Sequence, residues 1–261
     1  MSDYDRNATS PWGVSVGRST AGAPAIDQGL RAYMLGVYNY MTLGLAITGL
    51  FALGTNMLAV SGVPTPYRFG GQYLTQFGAT MYASPLKWVV MLAPLAFVLF
   101  FSFRIDRMSA ASARNMFFAF AAVMGLSLST VLLVYTGTSI ARAFFITSGA
   151  FAGLSLYGYT TKRDLSAFGS FLVMGLIGLI LASVVNLFVQ SSMFQFGLSI
   201  LSVLIFAGLT AWDTQAIKEM YFSSDSYEVA TKKSVNGALM LYLDFINIFQ
   251  SILSLSGSRN E

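Results

Sequence analysis

The chain has 261 residues, 55% hydrophobic and only 10% charged, with a mean hydropathy of +0.65. Soluble domains carry about 25% charged residues, so an ordinary cytosolic protein is excluded. The net charge of +4 comes from scattered cations rather than a nucleic-acid-binding patch, and the chain has no cysteine or histidine. Disulfides, thiolate metal sites, histidine haem ligation and histidine general bases are therefore excluded, leaving carboxylates, amides, hydroxyls and cations for any chemistry.

Residues 1–30 are polar, with Asp3, Asp5, Arg6, Arg18 and Pro24 and no continuous apolar stretch. They read as a disordered cytoplasmic arm, not a secretory signal. A spanning helix needs about 20 mostly apolar residues. Seven segments qualify: 32–53, 86–103, 113–135, 140–159, 167–189, 194–217 and 237–255. The expected fold is an all-α integral membrane protein, a seven-helix bundle over residues 31–256 with a short tail at 257–261. The one long connector, 54–85, carries Pro64, Pro66, Gly70, Gly71 and a single charge, Arg68. It predicts an ordered cap or interfacial segment, with Tyr67, Tyr73 and Tyr82 at headgroup level.

Loop charges give an orientation. Arg6, Arg18, Arg31, Arg104, Arg107, Arg114, Lys162, Arg163, Lys218, Lys232 and Lys233 fall on one side of the membrane. The other side has Arg68, Lys87, Arg142 and Arg259. The richer side, with the N-terminus, is expected to be cytoplasmic. The seventh segment is the least regular, because it contains Asp244, Asn247 and Gln250. An aspartate at a helix centre costs about 2.5–3.5 kcal/mol. Either this segment crosses inside a jacket of other helices, or it re-enters and leaves the C-terminus cytoplasmic. Gly149 with Gly153, and Gly175 with Gly178, are the expected points of close helix approach.

Asp213 and Asp244 are the two acids placed within apolar segments, and such residues are functional candidates. Asn247, Ser251 and Ser254 follow Asp244 at helical spacing; Thr210, Ser202 and Ser199 precede Asp213 in the same way. Each helix thus carries a polar stripe that must face the bundle interior. Arg104, placed at a similar level, is the natural counter-charge. Two neighbouring carboxylates in a low dielectric cannot both ionise cheaply, so the pair can hold a proton, a cation or an arginine. Hard oxygens suit Ca²⁺, with Asn247 or carbonyls as further ligands. The plainer alternative is a buried Asp–Arg pair that only fixes helix packing.

Leu-Thr-Ala-Trp-Asp-Thr-Gln-Ala-Ile-Lys (209–218) and Ala-Leu-Met-Leu-Tyr-Leu-Asp-Phe-Ile-Asn-Ile-Phe (238–249) resemble the signature of the Bax inhibitor-1 family. Ser-Pro-Leu-Lys-Trp-Val-Val-Met-Leu-Ala-Pro-Leu (84–95) is similar to its bacterial branch. The resemblance implies a seven-helix bundle with the last helix central, in the bacterial inner membrane. It also implies a pH-sensitive Ca²⁺ leak without a tightly bound cofactor, moving or sensing Ca²⁺ and protons. Asp213 and Asp244 match the family's sensor aspartates; Arg104 matches its latch arginine, with Arg107 competing for the role. Three other readings compete with this one. An intramembrane aspartyl protease also uses two aspartates, but its Tyr-Asp and Gly-x-Gly-Asp motifs are absent, so no enzyme is expected. Some bacterial relatives look like partners of a membrane-bound protease, acting through the N-terminal arm. A retinal protein is excluded because segment 237–255 has no lysine for a Schiff base.

Overall fold

The computed structural model describes residues 27–260; the greater part of the expected arm, 1–26, lies outside them. Among the described residues seven helices are long and apolar enough to cross a membrane. They are α1 Gln28–Ala59, α2 Leu86–Arg104, α3 Ala110–Val134, α4 Gly137–Thr160, α5 Ser166–Val189, α6 Ser192–Glu219 and α7 Tyr227–Ser256. Most begin earlier than their apolar windows, because a helix starts at its cap and not at its first hydrophobe. Asp27, Ser109, Thr136, Ser191 and Ser226 each accept a hydrogen bond from a first-turn N–H of α1, α3, α4, α6 and α7. Residues 28–30, expected in the arm, are therefore the first turn of α1. Similarly, α7 gains ten residues, 227–236, which include Lys232 and Lys233.

α7 is the central helix. Its apolar window is 56% buried, while no other helix exceeds 33%. It packs against α1, α3, α4 and α6; α2 leans on α3, and α5 on α6. Tyr242 of α7 pins three helices together. Its hydroxyl meets Thr48 of α1 at 2.6 Å, and Thr48 donates onward to the Ala121 carbonyl of α3 at 2.9 Å. Phe117 and Phe120 of α3 meet the Tyr242 ring edge-on, each at 5.7 Å between centroids. The outward faces carry an apolar belt, with Leu50, Met57, Phe103, Phe145, Phe188 and Met193 all exposed. In water so large an apolar surface would aggregate; in a bilayer it faces acyl chains.

The helices meet closely at glycines other than those expected. A side chain on Gly158 would collide with the Ala211 backbone of α6, and one on Gly169 with the Trp212 indole. Gly125 of α3 lies as tightly against the Thr48 carbonyl. By contrast Gly149, Gly153 and Gly178 face open space, and Gly175 makes ordinary contact with Ile205. The small-residue spacing in the sequence was real, but its face points outward.

The bundle has two dissimilar ends. At one, Ile105 after α2 lies with Val229, Lys232, Lys233 and Asn236 of α7, and the 161–165 connector is held to α6. We call this the basic end. At the other, β1 Arg68–Phe69 and β2 Gln72–Tyr73 form an antiparallel hairpin. Its turn uses Gly70 and Gly71, both at positive φ (57° and 78°), a conformation other residues adopt at a cost. Arg68 covers Tyr73 at 4.6 Å, and Tyr67 is exposed, as an interfacial cap requires. Tyr82 departs from that expectation: it is buried, with its hydroxyl 2.5 Å from Ser129 of α3, so it anchors the cap instead of facing headgroups. Burial raises its phenol pKa, and the Ser129 hydrogen bond lowers it in part.

The C-terminus lies at the hairpin end. The Thr136 N–H donates to the Ser258 carbonyl at 3.1 Å and the Asn260 N–H to that of Val134 at 2.9 Å. α7 thus runs from one end of the bundle to the other, and the re-entrant alternative is overturned. Four neighbouring helices shield its polar residues from lipid, which is why the crossing is tolerated.

Candidate functional site

α6 and α7 run antiparallel, and their polar stripes face each other. The rungs are side-chain hydrogen bonds: Ser199 to Ser254 at 3.1 Å, then Ser251 to Ser202 at 2.7 Å. Further toward the basic end, Asp213 and Asp244 lie within hydrogen-bonding reach of one another, with Thr210 beside Asp244. Asp213 is 7% exposed and Asp244 only 3%. The Thr210 hydroxyl donates to its own helix at the Phe206 carbonyl, 2.8 Å away. Asp244 Oδ2 is fully buried and has no hydrogen-bond partner. A buried carboxylate oxygen without a donor is costly, and a proton or a cation shared between the two carboxyls would remove that cost.

The pair lies beyond the inner end of a cavity of about 520 Å³ among α3, α5, α6 and α7. Gln195, Ser199, Ser202, Asn247, Gln250 and Ser254 give this cavity polar walls. It reaches Phe206 and Asn247, about one turn short of Thr210 and Asp244. Asn247 therefore belongs to the cavity and not to the aspartate pair; its amide nitrogen donates back to the Leu243 carbonyl at 2.8 Å. Toward the basic end Ile217, Val235, Ala238 and Leu239 are buried in the apolar core.

Arg104 is not at the pair. It is exposed at the end of α2, with its guanidinium over the Phe100 ring at 5.4 Å. Its neighbour Ile105 faces Val229 and Asn236, two turns or more before Asp244 along α7. The expected common level fails because α7 begins well outside its apolar window, which sets Asp244 deeper than the start of segment 237–255 suggests. Among the described residues the ion pair formed is Lys233–Asp225, at 2.6 Å, and no arginine stands within salt-bridge distance of either aspartate. Arg107, the competing choice, closes the 3₁₀ turn Ile105–Arg107 at the same end.

Several polar residues around the pair were not singled out from the sequence. Thr214, adjacent to Asp213, is 3.0 Å from the Ser155 hydroxyl of α4, which in turn meets the Tyr38 hydroxyl of α1 at 2.6 Å. Gln215 accepts from the Leu165 N–H at 2.8 Å and donates to the Arg163 carbonyl at 2.9 Å, tying the α4–α5 connector to α6. Lys218 donates to the Tyr159 carbonyl at 2.9 Å. Thr214 and Gln215 directly follow Asp213, so their polarity was visible; their partners on α1, α4 and the connector were not.

Seven apolar helices, the last of them central and sharing a buried carboxyl pair with the sixth, define a polytopic membrane protein with an intramembrane acidic site. The chain belongs to the Bax inhibitor-1 family: the family model described as "Inhibitor of apoptosis-promoting Bax1" matches residues 30–261. Among its relatives is an uncharacterised protein of Rickettsia prowazekii, 43% identical over 261 residues and covering 100% of both chains. An uncharacterised protein of Caulobacter vibrioides is 43% identical over 238 residues, covering 91% of this chain and 92% of its own. The inner membrane protein YbhL of Escherichia coli is 40% identical over 235 residues, covering 88% and 93% respectively.

Proposed function

We propose that this protein is a pH-sensitive cation leak of the bacterial inner membrane, passing Ca²⁺, with Asp213 and Asp244 as the shared site for proton and ion. The observation that carries this reading is the unpartnered Asp244 oxygen beside Asp213, beyond the end of a polar cavity. Ca²⁺ takes about 6–8 oxygens when held firmly. Two carboxylates and the Thr210 hydroxyl offer fewer, which suits an ion in transit better than a stored one. Proton and cation compete for the same oxygens, so acidification empties the site of cation and flux falls. In this reading the apolar packing of Ile217, Val235 and Leu239 closes the path at the basic end. With Arg104 away from the pair, we assign closure to this apolar packing and not to an arginine latch. The basic end is assigned to the cytoplasm, since Lys162, Arg163, Lys218, Lys232 and Lys233 gather there.

The test is Ca²⁺ entry into proteoliposomes as a function of pH. The wild-type chain should leak, less so in acid, and Asp213→Asn and Asp244→Asn should each abolish the pH response. An unchanged rate and pH profile in both variants would sink the reading.

A further inference from the structure

Near the basic end a second cavity, about 570 Å³, opens sideways between α1 and α4. Its walls are Met34, Leu35, Phe151, Ala152 and Leu156, and Leu35 and Leu156 turn their side chains toward the acyl-chain region. From Arg31 to Tyr38 the groove runs about 10 Å along the helix. That length takes a lipid's glycerol and the upper part of one chain. Its mouth is cationic. Arg31 lines it, exposed, and Lys218 reaches the carbonyl of Tyr159, another lining residue, with its ammonium 5.8 Å from that ring's centroid. The carboxylate nearest to Arg31 along α1, Asp27, is engaged through Oδ1 by the Gly29 and Leu30 N–H groups. The same seam toward the hairpin end also gapes, between Leu45, Leu53, Phe145 and Phe249, but no cation lines it. Among the lining residues of the seam, the cation is thus at the basic end.

We infer that this groove is a binding site for one anionic phospholipid, its phosphate at Arg31 and one acyl chain between α1 and α4. The floor of the site is the Tyr38–Ser155–Thr214 hydroxyl chain, which ends on the residue next to Asp213. An occupied groove thus bears on the turn of α6 that carries the acidic site, yet the lipid site stands whether or not the chain passes cations.

The experiment replaces Leu156 with photoreactive benzoylphenylalanine in the full chain, in vesicles of equal parts phosphatidylglycerol and phosphatidylcholine. Phe171 of α5 is the control position, similarly exposed (64% against 63%) and similarly close to the basic end. Cross-linked lipid at position 156 should be enriched in phosphatidylglycerol about fivefold over position 171, the preference expected of one interfacial cation. Arg31→Gln should bring it to the control ratio, and Arg31→Lys should keep most of it. The same headgroup ratio at both positions, or adducts to residues 1–26 or to a second copy of the chain, overturns the site.

Discussion

Asp244 keeps an oxygen without a donor in a helix otherwise well satisfied, and substitution there distinguishes a pair that staples helices from one that takes up a guest. If the pair only stapled helices, Asp244→Asn would cost stability. If it is held ready for a positive guest, the amide should be tolerated, since its N–H can donate to Asp213 and remove a penalty of about 1–3 kcal/mol. The expected outcome is an unchanged or higher melting temperature for Asp244→Asn, measured in detergent, together with lost pH dependence of flux. The serine rungs behave differently: Ser251→Ala should cost about 1 kcal/mol and leave the pH profile in place, because Ser202 and Ser251 satisfy each other away from the pair. Asp164 supplies a control on pH. Its carboxylate accepts hydrogen bonds from the Ser166 hydroxyl and N–H, and its pKa is lowered. Its support for the start of α5 is therefore full above its unfolded pKa and fades only as pH falls through the lower folded one. A flux response near neutrality in the Asp164→Asn variant should match the wild type.

Close approach of α4 to α6 at Gly158 and of α5 to α6 at Gly169 sets the position of Asp213 against α7. Both glycines sit opposite Ala211 or Trp212, within two residues of the aspartate. Gly158→Ala should destabilise the bundle by about 1–3 kcal/mol, the usual cost of overpacking, with reduced flux from a displaced α6. Gly149→Leu, on the open face of the same helix, should be neutral in the same thermal assay. The Gly149/Gly153 spacing was legible in the sequence and the roles of Gly158 and Gly169 were not, because periodicity shows that small residues share a face but not which face meets a neighbour. The polar stripes of α6 and α7 were legible for the opposite reason. Burying hydroxyls and carboxylates toward lipid is too costly, so spacing alone dictates that those faces look inward.

The bundle as a whole separates a basic end from a hairpin end, and the absence of cysteine makes that separation directly measurable. Lys162→Cys and Gly62→Cys, both at exposed positions on opposite ends, should report it. A membrane-impermeant maleimide added to intact spheroplasts should label position 62 and leave 162 untouched until the membrane is broken. The reverse pattern would invert the orientation argued from loop charge. Seven crossings, their order and the two intramembrane acids follow from the sequence alone, because about 20 apolar residues must span and a carboxylate among them must be sheltered. Only the tertiary structure decided that Asp213 meets Asp244 while Arg104 stays outside, since where α7 begins is set by the Ser226 cap and ten residues, 227–236, that precede the apolar segment. It alone decided, too, that Tyr38, Ser155 and Thr214 converge from three helices, because contacts between distant segments depend on which faces the packing turns together.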